Sequence, residues 1–244
     1  MTTPTVTLIV PYYRNPAMLL RQAEEWARYP LGYRVIVVDD GSPSDPAHEV
    51  LPDSCTADVY RITTDVPWNR NGARNLGAHV SGTTWILHVD IDHVLTASQA
   101  VELKALELGD EKWYRFRRWR RGRADATRQK DALPDSETFG EIKPHIDSFL
   151  CPRKMYWRAG GYDEDFSGSL GGSSLFLQHM TEIAPPEVLQ EVRLEVHTTD
   201  SVPDASDIHL SRDRSRYARI RAEKRAAGDP KPSDWLRFEW ERMR

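Results

Sequence analysis

Two aspartates separated by one residue, Asp90 and Asp92, follow directly on the apolar run Trp85-Ile-Leu-His-Val89. Along a strand, alternation sends both side chains to the same side, so both carboxylates face one ligand. Carboxylates held that close repel each other unless a cation lies between them. Hard divalent ions take oxygen ligands and often share their shell with substrate phosphates. The pair therefore predicts a Mn²⁺ or Mg²⁺ site beside a diphosphate, at the C-terminal end of a strand. His93 adjoins the pair, but the same alternation turns its ring away. A second acidic pair, Asp39-Asp40, closes the run Tyr33-Arg-Val-Ile-Val-Val38 and leads into Gly41-Ser-Pro43.

The most charged stretch is Lys112 to Lys130, with nine lysines and arginines, one acid (Asp125), and Trp113, Tyr114, Phe116 and Trp119 interleaved. Cations neutralise phosphates and aromatics stack on unpaired bases, so Arg117, Arg118, Arg120 and Arg121 are candidate nucleic-acid contacts. A sheet strand with buried aromatics and solvated arginines has the same composition, and some of these arginines could instead meet a diphosphate. A second arginine-rich stretch runs from Ser211 to Arg225. The net charge of −4 excludes a generic polyanion binder, so any nucleic-acid surface must be local.

These residues need elements to position them. Val6-Thr-Leu-Ile-Val10 reads as a buried strand stopped by Pro11, and Asn15-Pro16 opens an amphipathic helix to about Tyr29. Tyr33–Val38, Val59–Ile62 and Trp85–Val89 are further strands, and 71–80 is a helix. Short apolar runs separated by helices predict parallel strands in βαβ units, hence an α/β fold. The acids at 39–40 and 90–92 follow different strands, and open α/β sheets bind ligands on the rim formed by such strand ends. The expected organisation is one domain over 1–210, with a nucleotide half (1–95) and an acceptor half (96–210). A basic helical extension over 211–244 follows, broken at Gly228-Asp-Pro-Lys-Pro232 before a last short helix with Trp235, Phe238 and Trp240. Cys55 and Cys151 have no metal-ligand spacing and define no disulfide framework, which predicts a reducing compartment. With no apolar run of membrane-spanning length and no basic leader, the expectation is a cytoplasmic chain without a membrane partner.

Five motifs in order carry a resemblance. They are Thr7-Leu-Ile-Val-Pro-Tyr-Tyr-Arg-Asn15, Val35-Ile-Val-Val-Asp-Asp-Gly-Ser42, Asn71-Gly-Ala-Arg-Asn-Leu-Gly77, Asp90-Ile-Asp92 and Ala159-Gly-Gly-Tyr-Asp-Glu-Asp-Phe166. Over about 5–176 the chain resembles the family 2 and galactosyltransferase-type glycosyltransferases of GT-A fold, and Trp68-Asn69 with Asp90-Ile-Asp-His93 is similar to a branch found in phage genomes. The resemblance implies a nucleotide-sugar donor, a UDP-sugar, and a bound Mn²⁺ or Mg²⁺. It implies that Pro11, Tyr12 and Tyr13 lie along the nucleotide and that Asp39 or Asp40 accepts from the uracil imide. Asn71, Arg74 and Asn75 would hold base or diphosphate. Asp92 would be the main metal ligand, Asp90 would contact ribose or metal, and a late histidine, His209 or His197, would complete the shell.

The pattern departs from this family at one point. Inverting members follow the glycine-glycine-tyrosine motif with an aspartate that deprotonates the acceptor hydroxyl. Here the stretch reads Ser167-Gly-Ser-Leu-Gly-Gly-Ser-Ser-Leu-Phe176, and Ser173 or Ser174 stands at the acid's place. A neutral serine takes no proton at pH 7, and losing a positioned base costs roughly 10²–10⁴-fold in rate. Asp147, Asp163, Glu164 or Asp165 could supply the base, the departing phosphate could serve in a retaining reaction, or the chain could be a binding protein without chemistry. The acceptor is a hydroxyl, either of a 5-hydroxymethylpyrimidine in DNA, if the basic stretch meets nucleic acid, or of a glycan or small molecule.

Overall fold

The computed structural model of the chain describes residues 6–64, 66–121, 141–169, 171–205 and 213–244. Its first half alternates strand and helix: β1 (Val6–Tyr12), α1 (Pro16–Trp26), β2 (Tyr33–Asp39), α2 (Ala47–Val50), β3 (Asp58–Ile62), α3 (Arg70–Val80) and β4 (Trp85–His88). β1 pairs in parallel with both β2 and β4, and β2 with β3. Alternation along β1 sends Leu8 and Val10 into one apolar cluster with Leu19 and Trp26, and Ile9 into another with Ala78 and Tyr156. Both faces of the strand are covered, which is why its sequence is continuously apolar.

The second half comprises β5 (His93–Val94), α4 (Ala97–Ala105), β6 (Tyr114–Arg121), β7 (Glu141–Ile142), β8 (Phe149–Pro152), α5 (Arg153–Arg158), a 3₁₀ turn (Glu164–Phe166), α6 (Ser173–Ile183) and β9 (Glu187–His197). α7 (Arg214–Ala226) and β10 (Trp240–Arg242) end the chain. The strands make one mixed sheet in the order β10-β3-β2-β1-β4-β8-β6-β9-β5, with β7 on β6. The chain leaves β1 in one direction through β2 and β3 and returns on its other side at β4. The crevice beyond the C-terminal ends of β1 and β4 is thus the switch point where such sheets take ligands.

Two expectations need correction. The last segment is an extended strap, not a helix, and β10 pairs antiparallel with β3. The reason is the open edge of β3: Met243 N–H donates to Val59 O at 2.8 Å, Thr63 N–H to Glu239 O at 2.9 Å, and the Trp240 indole meets the Tyr60 ring edge-on. A strand covering an edge satisfies those groups, which a helix cannot do. The strand before the two aspartates ends at His88, and residues 90–93 form a turn closed by His93 N–H to Asp90 O at 2.9 Å. Strand alternation therefore does not govern Asp90, Asp92 and His93. No helix of the described residues is long and apolar enough to cross a membrane.

Candidate active site at the end of β4

Asp90 lies where the turn leaves β4. One of its oxygens accepts from Arg74 on α3, and the other lies 3.1 Å from His145 Nδ1. The turn brings the His93 ring toward Asp90, contrary to the expectation from alternation. Ligand-type atoms of Asp90, His93 and His145 lie within 4.8 Å of one another. Among the described residues these three make a group that could hold a metal ion. Asp92 lies in the turn, and its carbonyl accepts the His197 N–H at 3.0 Å. His197 is buried with Nδ1 at 3.2 Å from Ser201, outside the group, and burial pulls its pKa below the ordinary histidine value. His209 lies outside the described residues.

The group is held from behind. His93 Nδ1 meets Ser148 Oγ at 2.6 Å, and Arg118 donates to Nε2 at 3.2 Å. Arg74 is fully buried beneath Asp90, and its guanidinium lies 5.3 Å from the Tyr162 ring centre. Burial works against its charge, but Asp147 and Asp90 more than offset that and raise its pKa. Burial raises the Asp90 carboxyl as well, yet Arg74 and His145 outweigh it and hold Asp90 well below the usual carboxylate range. Asp147 behaves the same way, its burial opposed by Arg70 and Arg74. Its oxygens take Arg70 at 3.1 Å and the Tyr162 hydroxyl at 2.9 Å.

Arg70 also donates to Ser173 Oγ at 2.8 Å, at the start of α6. Arg70 thus spans from the serine that stands in place of an acid to Asp147, which arrives from the loop before β8. The other three candidate bases point elsewhere, Glu164 to Asn75 and the Leu236 and Arg237 N–H groups. Asp163 accepts the Asp165 N–H and pairs with Lys224 at 2.8 Å. Asp165 pairs with Lys224 at 2.5 Å and Arg237 at 2.8 Å. Both carboxylates fasten the C-terminal extension.

The expected nucleotide residues divide in the same way. Asp39 is fully buried and accepts the Ser42 and Ala47 N–H groups, each at 2.8 Å, so its carboxylate shapes the loop after β2. Asp40, Pro11 and Tyr13 are half-buried and the Asp40 N–H donates to Tyr12 O at 2.9 Å, whereas the Tyr12 ring is buried and its hydroxyl donates to Asp45 O at 2.5 Å. Asn71 donates to Asp163 O at 3.0 Å. Asn75 is saturated: its amide donates to Tyr162 O and Glu164, and its carbonyl accepts from Tyr156 and the Tyr162 N–H. These asparagines pin the 159–166 loop to α3. The four candidate arginines, among five on β6, form no free cationic row. Arg118 and Arg120 are buried, Arg117 pairs with Glu141, and Arg121 with Glu195 at 2.5 Å.

The profile described as glycosyl transferase family 2 matches residues 7–142, more than half of the chain. The chain belongs to glycosyl transferase family 2. No curated protein sequence matches it. Its fold is similar to that of S. aureus TarS residues 1–349, at 14% identity and a TM-score of 0.60, covering 81% of this chain and 61% of that one. The TarS complex with UDP-GlcNAc gives 14% identity and 0.61, covering 84% and 61%. GalNAc-T7 with UDP, GalNAc and Mn²⁺ gives 11% and 0.58, covering 81% and 44%. The chain therefore spans less than two thirds of each of these solved chains.

Within this family 2 scaffold, the sequence marks Asp90, Arg74 and Asp147 as candidates, and the fold sets Arg70, His145 and Tyr162 against them. Arg70 stands directly beside the quoted Asn71 motif. His145 sits two residues before Asp147 in Lys143-Pro-His-Ile-Asp147, just ahead of an apolar strand, and that placement was the available signal.

Proposed function

We propose that this chain transfers a sugar from a UDP-sugar to an acceptor hydroxyl at the end of β4. The observation that carries this is the Arg70–Arg74–Asp90–His145–Asp147 assembly at the switch point of a family 2 scaffold. Asp40, at the rim, is the acceptor for the uracil imide, since Asp39 is occupied by backbone N–H groups. Asp90, His145 and, once its Nε2 exchanges Arg118 for the ion, His93 would hold a divalent ion. One oxygen and two nitrogen donors suit Mn²⁺ better than Mg²⁺, which prefers an all-oxygen shell. When bound, such an ion neutralises charge on the diphosphate leaving group. Arg70 and Arg74 add fixed positive charge to the same region, which favours departure of that anion.

The acceptor's proton goes to Asp147. It is ionised at neutral pH, and Arg70 bridges it to Ser173, where family relatives carry the acid. As the acceptor oxygen bonds to the anomeric carbon, its hydroxyl becomes acidic enough for a carboxylate of low pKa to take the proton. A glycan or small-molecule hydroxyl fits better than DNA, because the four candidate β6 arginines are buried or ion-paired.

The test is UDP release from a panel of UDP-sugars with Mn²⁺, with glycans, small alcohols or DNA containing 5-hydroxymethylcytosine as acceptors. Release stimulated by a glycan or alcohol supports the reading. Stimulation by modified DNA alone keeps the transferase and moves the acceptor. UDP binding without release from any donor would reduce the chain to a binding protein.

A further inference from the structure

We propose that the cleft between β6, β9 and α4 is a second binding site, for the ring of a neutral hexose, separate from the end of β4. β9 advances from Leu189 to Arg193 while β6 advances only from Phe116 to Arg117. Residues 190–192 are thus thrown out of the ladder. Val192 is fully buried in the main core and anchors this bulge, which leaves Gln190 and Glu191 exposed at its lip. Bulges disrupt pairing and gather where a side chain must be re-aimed. The bulge opens a cavity of about 290 Å³, near the lower limit for small-molecule sites and adequate for one sugar ring.

Arg118 borders the cavity while its guanidinium reaches His93, and alternation along β6 sends Trp119 to the other face, so the cavity opens on the side of the strand away from the candidate active site. Trp119 is half-buried in the cavity wall. The Arg193 guanidinium lies 5.1 Å from its ring centre, and the Arg193 N–H donates to Gln99 Oε1 at 2.6 Å. These contacts tie the bulge, α4 and the indole together, so the platform exists before any ligand arrives.

The chemistry of the rim selects the ligand. Arg117 is closed on Glu141, and Arg193 lies against the indole, while Glu102 and Glu191 are exposed. Cations and carboxylates nearly balance, so neither a phosphate nor a simple cation finds a favourable field. A purely apolar ligand would strip water from carboxylates and give nothing back. A hexose satisfies both halves of the wall: its C–H face covers an aromatic ring, and its hydroxyls each donate and accept with Glu102, Gln99 and Gln190.

The test titrates methyl glucoside, methyl galactoside and methyl N-acetylglucosaminide into the full chain saturated with UDP, by calorimetry and saturation-transfer NMR. Saturable millimolar binding of at least one glycoside is expected. Trp119→Ala should weaken it roughly tenfold, Trp119→Phe should retain most of it, and Glu102→Ala should weaken it several-fold. UDP affinity should stay constant across the variants. No binding to wild type, equal binding to Trp119→Ala and Glu102→Ala, or displacement of the glycoside by UDP would each overturn the proposal. Failure of UDP itself to bind would count against the transferase reading, while glycoside binding and its loss in the variants would still be readable.

Discussion

At the scale of single residues, Asp147 is the most informative group. A carboxyl whose folded pKa is depressed contributes stability above its unfolded pKa, near 4, and loses it as pH falls through the folded value. Arg70 and Arg74 depress Asp147 in this way, with burial opposing them. Asp147→Asn should therefore cost about 2–4 kcal/mol at pH 7, because it leaves Arg70 and the buried Arg74 short of a counter-charge. The gap between wild type and variant should shrink as pH falls below about 4. Urea unfolding from pH 7 to pH 3 checks both statements. If Asp147 is also the proton acceptor, the same variant should lose about 10²–10⁴-fold in transfer rate with UDP affinity kept. A variant that transfers at the wild-type rate would hand that role to the departing phosphate. His145→Ala should weaken Mn²⁺ binding, measured by calorimetry, while Asp163→Asn should leave it unchanged, since Asp163 faces Lys224.

At the scale of elements, α3 is seated by contacts that allow no added atoms. A Cβ on Gly77 would lie 2.3 Å from Ile9 Cγ2 on β1. Alanine is the better helix former by about 0.8–1 kcal/mol, but overpacking costs about 1–3 kcal/mol. Gly77→Ala should therefore destabilise the fold on balance, and pairing it with Ile9→Ala should restore part of the loss in a double-mutant cycle. The other face of α3 is held through Glu164. Its carboxylate accepts from Asn75 at 2.8 Å and from the Leu236 and Arg237 N–H groups at 3.0 and 3.1 Å. Glu164→Ala would leave those donors without their acceptor, at a cost of about 2–4 kcal/mol. The C-terminal strap should then be cleaved faster than wild type in limited proteolysis.

At the scale of the whole molecule, a net charge of −4 and an ion-paired β6 predict weak duplex binding with little salt dependence. Replacing Arg117 and Arg121 by alanine should barely change it in a filter-binding series across salt. The sequence by itself determined the parallel half of the sheet, because β1, β2 and β4 are buried on both faces and must be apolar throughout. It also marked the rim at 39–40 and 90–92, since short βαβ connections place strand ends together. What it could not determine was which side chains meet there. Asp90 opens a turn just beyond the end of β4, so strand alternation does not set where Asp92 and His93 point. His145 and Asp147 reach the site together from the loop before β8, and Arg70 comes from the start of α3. The candidate bases Asp163 and Asp165 looked equal to Asp147 in the sequence. The packing of α7 and the strap against the 3₁₀ turn decides between them, because Lys224 takes both carboxylates and Arg237 takes Asp165, which turns them toward the C-terminal extension and away from the end of β4.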